Sequence, residues 1–147
     1  MKKFIEKLPI DIVFRIIPYT YRLQNKDLLY DIINYKKTKT ILFDLYYDFW
    51  IVNMHSQTEE DLNWLINDLF SYANDYNATM YGYVDKFYNI FRRNRFLQTN
   101  EQIDHYVFSL EKRDVSTQIN IFLGLLKVYE RNDIIRSFIE TNETIFE

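Results

Sequence analysis

The sequence predicts an all-α protein, a compact bundle of seven to eight short helices. Three observations carry that expectation. Punctuation is sparse, with two glycines and two prolines in 147 residues, and these are the residues that most often interrupt regular elements. Apolar residues recur at spacings of three and four, the period of a helix face. Polar residues able to cap a helix precede several of those runs.

Taken in order, the first helix lies between the two prolines. Pro9 suits a first helical turn, where its missing N–H is no loss. Ile10, Val13, Phe14 and Ile17 form a stripe expected to pack inward. Leu8, Ile12 and Ile16 then fall on the adjoining strip, facing outward. Pro18 disfavours the helical conformation at Ile17 and should stop the helix there. Residues 19–25 read as a loop. A second helix starts near Asn25, an acceptable N-cap, with Leu28, Leu29, Ile32 and Ile33 on its inner face. Residues 36–40, KKTKT, read as a break. A third helix then carries Ile41, Leu42, Leu45, Phe49 and Val52. Residues 41–52 are also rich in strand formers, so a β-strand stays open there.

The polar residues 53–57 mark a joint between an N-terminal part, 1–53, and a C-terminal helical bundle, 54–147, packed as one unit. Thr58 followed by Asp61 reads as a variant capping box, with Glu59 and Glu60 favouring the positive end of the helix dipole. Leu62, Leu65, Ile66, Leu69, Phe70 and Ala73 follow at helical spacing. Leu65 and Leu69, with Phe122, are expected at the centre of the core. Residues 74–79 break the chain again. The next helix carries Met80, Tyr83, Val84, Phe87, Ile90 and Phe91. Thr99 or Asn100 caps another, with Ile103, Tyr106, Val107 and Leu110 inward. Asp114 or Ser116 opens a helix marked by Val115, Ile119, Phe122, Leu126 and Tyr129. Ile134, Ile135, Phe138 and Ile139 form the last.

Composition bounds the function. Hydrophobic residues are 48% of the chain, enough to bury a core, and no apolar run approaches the ~20 residues that a membrane span needs. A net charge of −3 gives no whole-protein attraction to nucleic acid or anionic membrane. Charged Asp11 and Arg15 interrupt the segment after the N-terminal lysines, so no secretory signal is expected. Without cysteine there is no disulfide and no thiolate metal site. These features fit an intracellular protein. With 13 Tyr and 12 Phe, aromatics must fill much of the core, and tyrosines at its margin need hydroxyl partners. Many Ile, Asn, Lys, Tyr and Phe beside few Gly, Pro and Ala is the balance of an AT-rich genome.

No enzymatic signature appears. Two glycines cannot build a phosphate-binding loop, and no serine lies in a Gly-x-Ser-x-Gly elbow. His55 and His105 lack partners at metal-ligand spacing. Asp44 and Asp48 are four apart, but read as a solvated helix face. No cofactor or metal is expected, and the chain reads as a non-enzyme. Arg92, Arg93 and Arg95, among Phe87, Tyr88, Phe91 and Phe96, could grip phosphates and stack bases. The competing reading is a helix that buries its aromatics and solvates its arginines. Tyr19 and Tyr21 flank Thr20 beside Pro18. They read either as an exposed aromatic binding loop or as a plug closing the first two helices.

Leu8-Pro9-Ile10-Asp11-Ile12-Val13, then Ile16-Ile17, then Lys26-Asp27-Leu28-Leu29 resembles an F-box. The resemblance covers about 45 residues. It implies a three-helix N-terminal part that docks a Skp1-like adaptor of a ubiquitin ligase. Leu8, Pro9, Ile12, Ile16 and Ile17 would stand at adaptor-facing or bracing positions, and Leu28 and Leu29 on the second helix. Where that family carries a tryptophan-containing third segment, this chain has KKTKTIL, with Trp50 further on. The whole chain is also similar to a group of proteins of large, mimivirus-like DNA viruses. The shared features lie at residues 16–21, 27–31, 64–73 and 80–91.

The resulting expectation is a viral, non-enzymatic protein–protein interaction module in the host cytoplasm or nucleus. Its partner is a host or viral protein, engaged through Leu8, Pro9, Ile12, Ile16, Tyr19 and Tyr21. A structural or virion-associated helical protein is the alternative. A nucleic-acid binder acting through Arg92, Arg93 and Arg95 is a third reading.

Overall fold

The computed structural model describes residues 9–12, 14–15 and 25–143. All regular structure among them is helical. The elements are α1 (Lys26–Tyr46), a π-helical segment (Tyr47–Asn53), α2 (Glu60–Ala73), a 3₁₀ turn (Thr79–Tyr81), α3 (Asp85–Phe91), α4 (Asn100–Leu110), α5 (Val115–Leu125) and α6 (Val128–Glu143). The all-α expectation holds, and the strand left open at 41–52 is helical. The chain divides into two units, Met1–Tyr30 and Asp31–Glu147.

In the first unit, residues 10–12 and 14–15 are helical, and the Ile12 amide donates to the Pro9 carbonyl at 3.0 Å. The inward stripe expected there is not inward. Ile10 is 68% exposed and Phe14 66% exposed. Val13 and Ile17, the rest of that stripe, lie outside the described residues. Asn25 does cap α1, its Oδ1 accepting from the Asp27 amide at 2.9 Å. Leu28 and Leu29 on the first turn of α1 are exposed rather than inward.

The second unit opens with a larger correction. The KKTKT stretch breaks nothing: α1 runs without interruption through it. Tyr35, Thr38, Leu42 and Tyr46 fall on one helical face, with Thr38, Leu42 and Tyr46 buried. Thr38 is small enough to serve as an apolar position there. The Thr40 hydroxyl donates to the Lys36 carbonyl one turn back at 3.2 Å, and the Lys39 ammonium lies 5.4 Å from the Phe43 ring centroid. A hydroxyl that bonds to the i−4 carbonyl is satisfied without leaving the helix. Ile32 and Ile33, also expected inward, are exposed. Residues 38–49, placed with the N-terminal part by sequence, supply Leu42 and Tyr46 to the main hydrophobic core.

α2 is the central element, packing on α5, on the π-helical segment and on α3. Its start differs from the expected capping box. Glu59 takes the N-cap position with φ 76° and makes no side-chain cap. Leu65 and Leu69 are fully buried, as is Phe122 on α5, so the three central core positions are as expected. Phe87 and Phe91 of α3 meet Phe122 edge-on, at 6.3 and 5.3 Å between ring centroids. Phe70 of α2 also meets Phe122, at 4.8 Å. Aromatic edges and faces pack well in such tilted pairs.

The helix expected from Met80 is shorter. Gly82, at φ 99°, separates the 3₁₀ turn from α3, and Met80 and Tyr81 are exposed. At α4 the cap is complete: Thr99 accepts from the Gln102 amide at 3.2 Å while the Gln102 side chain accepts from the Thr99 amide at 3.1 Å. Asp114 caps α5, accepting from the Thr117 amide at 2.9 Å. The Thr117 hydroxyl, which also donates to this carboxylate at 2.8 Å, and then the amide hold it below the usual range. Leu126 is extended, so Tyr129 belongs to α6, not to the helix before it.

α6 is tied down by two arginines. Buried Arg131 donates from Nε to the Leu123 carbonyl at 2.8 Å, and from its guanidinium to Asp31 at 2.7 Å and Asn34 at 3.1 Å. Arg93 reaches Glu130 through both terminal nitrogens, at 2.5 and 2.8 Å. No helix among the described residues is long and apolar enough to cross a membrane.

Candidate functional site

Of the partner-binding residues expected from sequence, Pro9 and Ile12 are described, and both are exposed, Ile12 by 41%. Leu8, Ile16, Tyr19 and Tyr21 lie outside the described residues. The three arginines have separate engagements. Arg92 donates to Asn89 at 3.0 Å and also reaches Asn100. Arg93 is held by Glu130 and by the Leu125 carbonyl at 3.0 Å. Arg95 lies over the Phe96 ring at 5.0 Å. His105 and His55 are exposed, and no three His, Asp or Glu residues converge as a metal site among the described residues.

The concave site that sequence reasoning did not find lies in the second unit, a cavity of about 310 Å³ between α2, α6 and the end of α1. Its construction begins with the π-helical segment. There the Met54 amide bonds back five residues to the Phe49 carbonyl at 3.0 Å. The wider turn re-aims side chains relative to an α-helix, and such segments often occur at functional sites. Here Trp50 stacks on Trp64 of α2, with centroids 4.4 Å apart and planes 3° from parallel. The Trp50 Nε1–H is buried without a hydrogen-bond acceptor, an uncommon and costly arrangement.

α2 contributes Trp64, Asp68 and Tyr72 at spacings of four, one strip of its surface. Tyr46, the last residue of α1, closes the floor. It is buried, and its hydroxyl donates to Asp68 Oδ2 at 2.6 Å. Its ring stacks on Phe138 of α6 at 4.2 Å. Burial, then the Asp68 charge and hydrogen bond, hold the Tyr46 phenol protonated well above its ordinary range. Burial also pushes the Asp68 carboxyl up, against the downward pull of the Tyr46 hydrogen bond.

Tyr76 forms the outer wall, meeting Tyr72 edge-on at 6.4 Å and 88°. Its position depends on two consecutive left-handed residues, Asp75 at φ 49° and Tyr76 at φ 59°. That strain needs an external brace. Asn74, fully buried, supplies it. Its Nδ2 donates to the Asn77 and Gly82 carbonyls at 2.9 and 3.2 Å, and its Oδ1 accepts from the Val84 amide at 2.8 Å. Behind Tyr72, the Lys86 ammonium sits 3.9 Å from the ring centroid. It donates to the Tyr72 carbonyl at 2.7 Å and to Asp75 at 3.0 Å. Burial and the Glu130 and Asp133 charges push the Tyr72 phenol up to about 12.

The 64–68–72 spacing was the one signal in the sequence for this cavity. It puts an indole, a carboxylate and a phenol on one strip of a helix. Trp50 and Tyr76 were not legible, because a π-helical turn and a left-handed pair place them.

No family model, curated protein or solved structure matches this chain.

Proposed function

We propose that this chain is a non-enzymatic protein–protein interaction module of a large DNA virus, acting inside the host cell on a host or viral partner. The F-box-like Leu8–Pro9 stretch is its docking element, and a Skp1-like adaptor is the partner class that the resemblance implies. The observation that carries the reading is the exposure of Ile10, Ile12 and Phe14 on one short helical stretch. Several large apolar side chains left in water within a few residues are the mark of a surface used for contact.

The test is calorimetric titration of a purified Skp1-like adaptor into the full chain and into Ile12→Asp. Binding by the wild type, weakened at least roughly tenfold by a carboxylate at the contact, is the expected result. Absence of binding to the wild type, with self-association in its place, would turn the assignment toward a structural protein.

A further inference from the structure

We propose that the aromatic cavity between α2, α6 and the end of α1 binds a methylated ammonium group, such as choline or the head of a trimethylated lysine. This goes beyond the docking role of the N-terminal stretch and does not depend on it.

The walls select for a cation. The faces of indole and phenol rings carry negative potential, and a desolvated cation over such rings gains more than an exposed one. Trp64 and Tyr76 stand at the rim, 43% and 65% exposed, so a ligand has access. Tyr46 and Ile134 are buried at the base. Asp68 brings the one carboxylate of the lining, and neither lysine nor arginine lines the cavity. An anion would meet a carboxylate and π faces without a compensating charge. A volume of about 310 Å³ sits at the small end for ligand sites, enough for a compact head group.

Methylation follows from a lining that sets six rings against one charged acceptor. A primary ammonium has three N–H donors and is strongly hydrated, so it binds where oxygens can replace its water. The molecule shows where such a group goes: Lys86 takes the Tyr72 face that also offers it the Tyr72 carbonyl and the Asp75 carboxylate. The cavity is built differently. One oxygen of its carboxylate already accepts from Tyr46, and six of the twelve lining residues are aromatic, against four neutral polar side chains, Ser71, Ser137, Thr141 and Asn142. A methylated ammonium has few or no donors to satisfy and loses little by leaving water.

The chain has two tryptophans, and both line this cavity, so intrinsic fluorescence reports directly on occupancy. Choline is titrated into the full chain beside 3,3-dimethylbutan-1-ol, its neutral isostere. Choline should bind at least about tenfold more tightly, as expected for a desolvated cation over rings. By calorimetry, Trp64→Leu and Asp68→Asn should each weaken choline binding about tenfold. Both residues keep exposed surface, and an asparagine at 68 can still accept from the Tyr46 hydroxyl, so cooperative melting of each variant is the control that its fold is intact. A trimethyl-lysine peptide, compared with its unmethylated form, separates the sources. Binding tighter than choline places the ammonium on a protein; binding weaker than choline places it on a small molecule. Equal affinity for choline and the neutral isostere overturns the proposal. So does choline binding that survives both variants, or no binding of either ammonium probe.

Discussion

Arg93 is the residue whose role is most sharply defined by its partners. It enters a two-pronged pair with Glu130, a residue 4% exposed that also accepts from the Lys127 amide at 2.7 Å at the start of α6. Burial alone would raise the Glu130 carboxyl, but the Arg93 and Lys127 bonds hold it below its usual range. Arg93→Ala leaves that carboxylate buried and short of a partner. The expected loss is ~3 kcal/mol, the low end for a broken buried pair, because the Arg93 side chain keeps a partly exposed edge. A depressed carboxylate pKa contributes stability above the ordinary glutamate value. That contribution is lost as pH falls through the depressed one. Urea melts of both proteins from neutral to acid pH should therefore show the gap closing as Glu130 protonates. A constant gap would assign the loss to packing instead. From sequence, Arg93 could be placed only in a basic cluster, because Glu130 is 37 positions away. Thr99 and Asp114 were readable as caps, since their partners are three residues on.

At the scale of elements, legibility follows the range of the forces. α2, α4 and the start of α5 carry local signals, in apolar period or cap, and are found near where these place them. α1 reads as two helices in sequence because KKTKT is polar, whereas it is one. One buried threonine in register with Tyr35, Leu42 and Tyr46 outweighs two exposed lysines and a third, Lys39, that lies over Phe43. The two glycines give opposite tests. Gly124 lies within α5 with open space where a Cβ would stand, so Gly124→Ala should raise stability by ~0.5–1 kcal/mol. Gly82 also has open space, but its φ of 99° belongs to glycine. Gly82→Ala should cost ~1–3 kcal/mol through backbone strain alone. Denaturant midpoints moving in the same direction for both would contradict these backbone assignments.

For the whole molecule, the aromatic-rich composition resolves into two uses. Phe70, Phe87, Phe91 and Phe122 fill the centre of the second unit, while Trp50, Trp64, Tyr72 and Tyr76 wall its cavity. The first was expected from composition. The second needed the fold, since five elements and loops converge to make it. The first unit differs in kind, because its described apolar residues are exposed. That contrast between a buried set serving the fold and an exposed set proposed to serve contact is the centre of the account. Two variants measured side by side by calorimetric melting test it most directly. Leu69→Ala empties a fully buried site and should cost ~2–5 kcal/mol. Ile12→Asp puts a carboxylate where the side chain already meets water, and should leave the transition within about 0.5 kcal/mol of the parent. Loss of cooperative melting in Ile12→Asp would show that this residue belongs to the core, and would contradict the account.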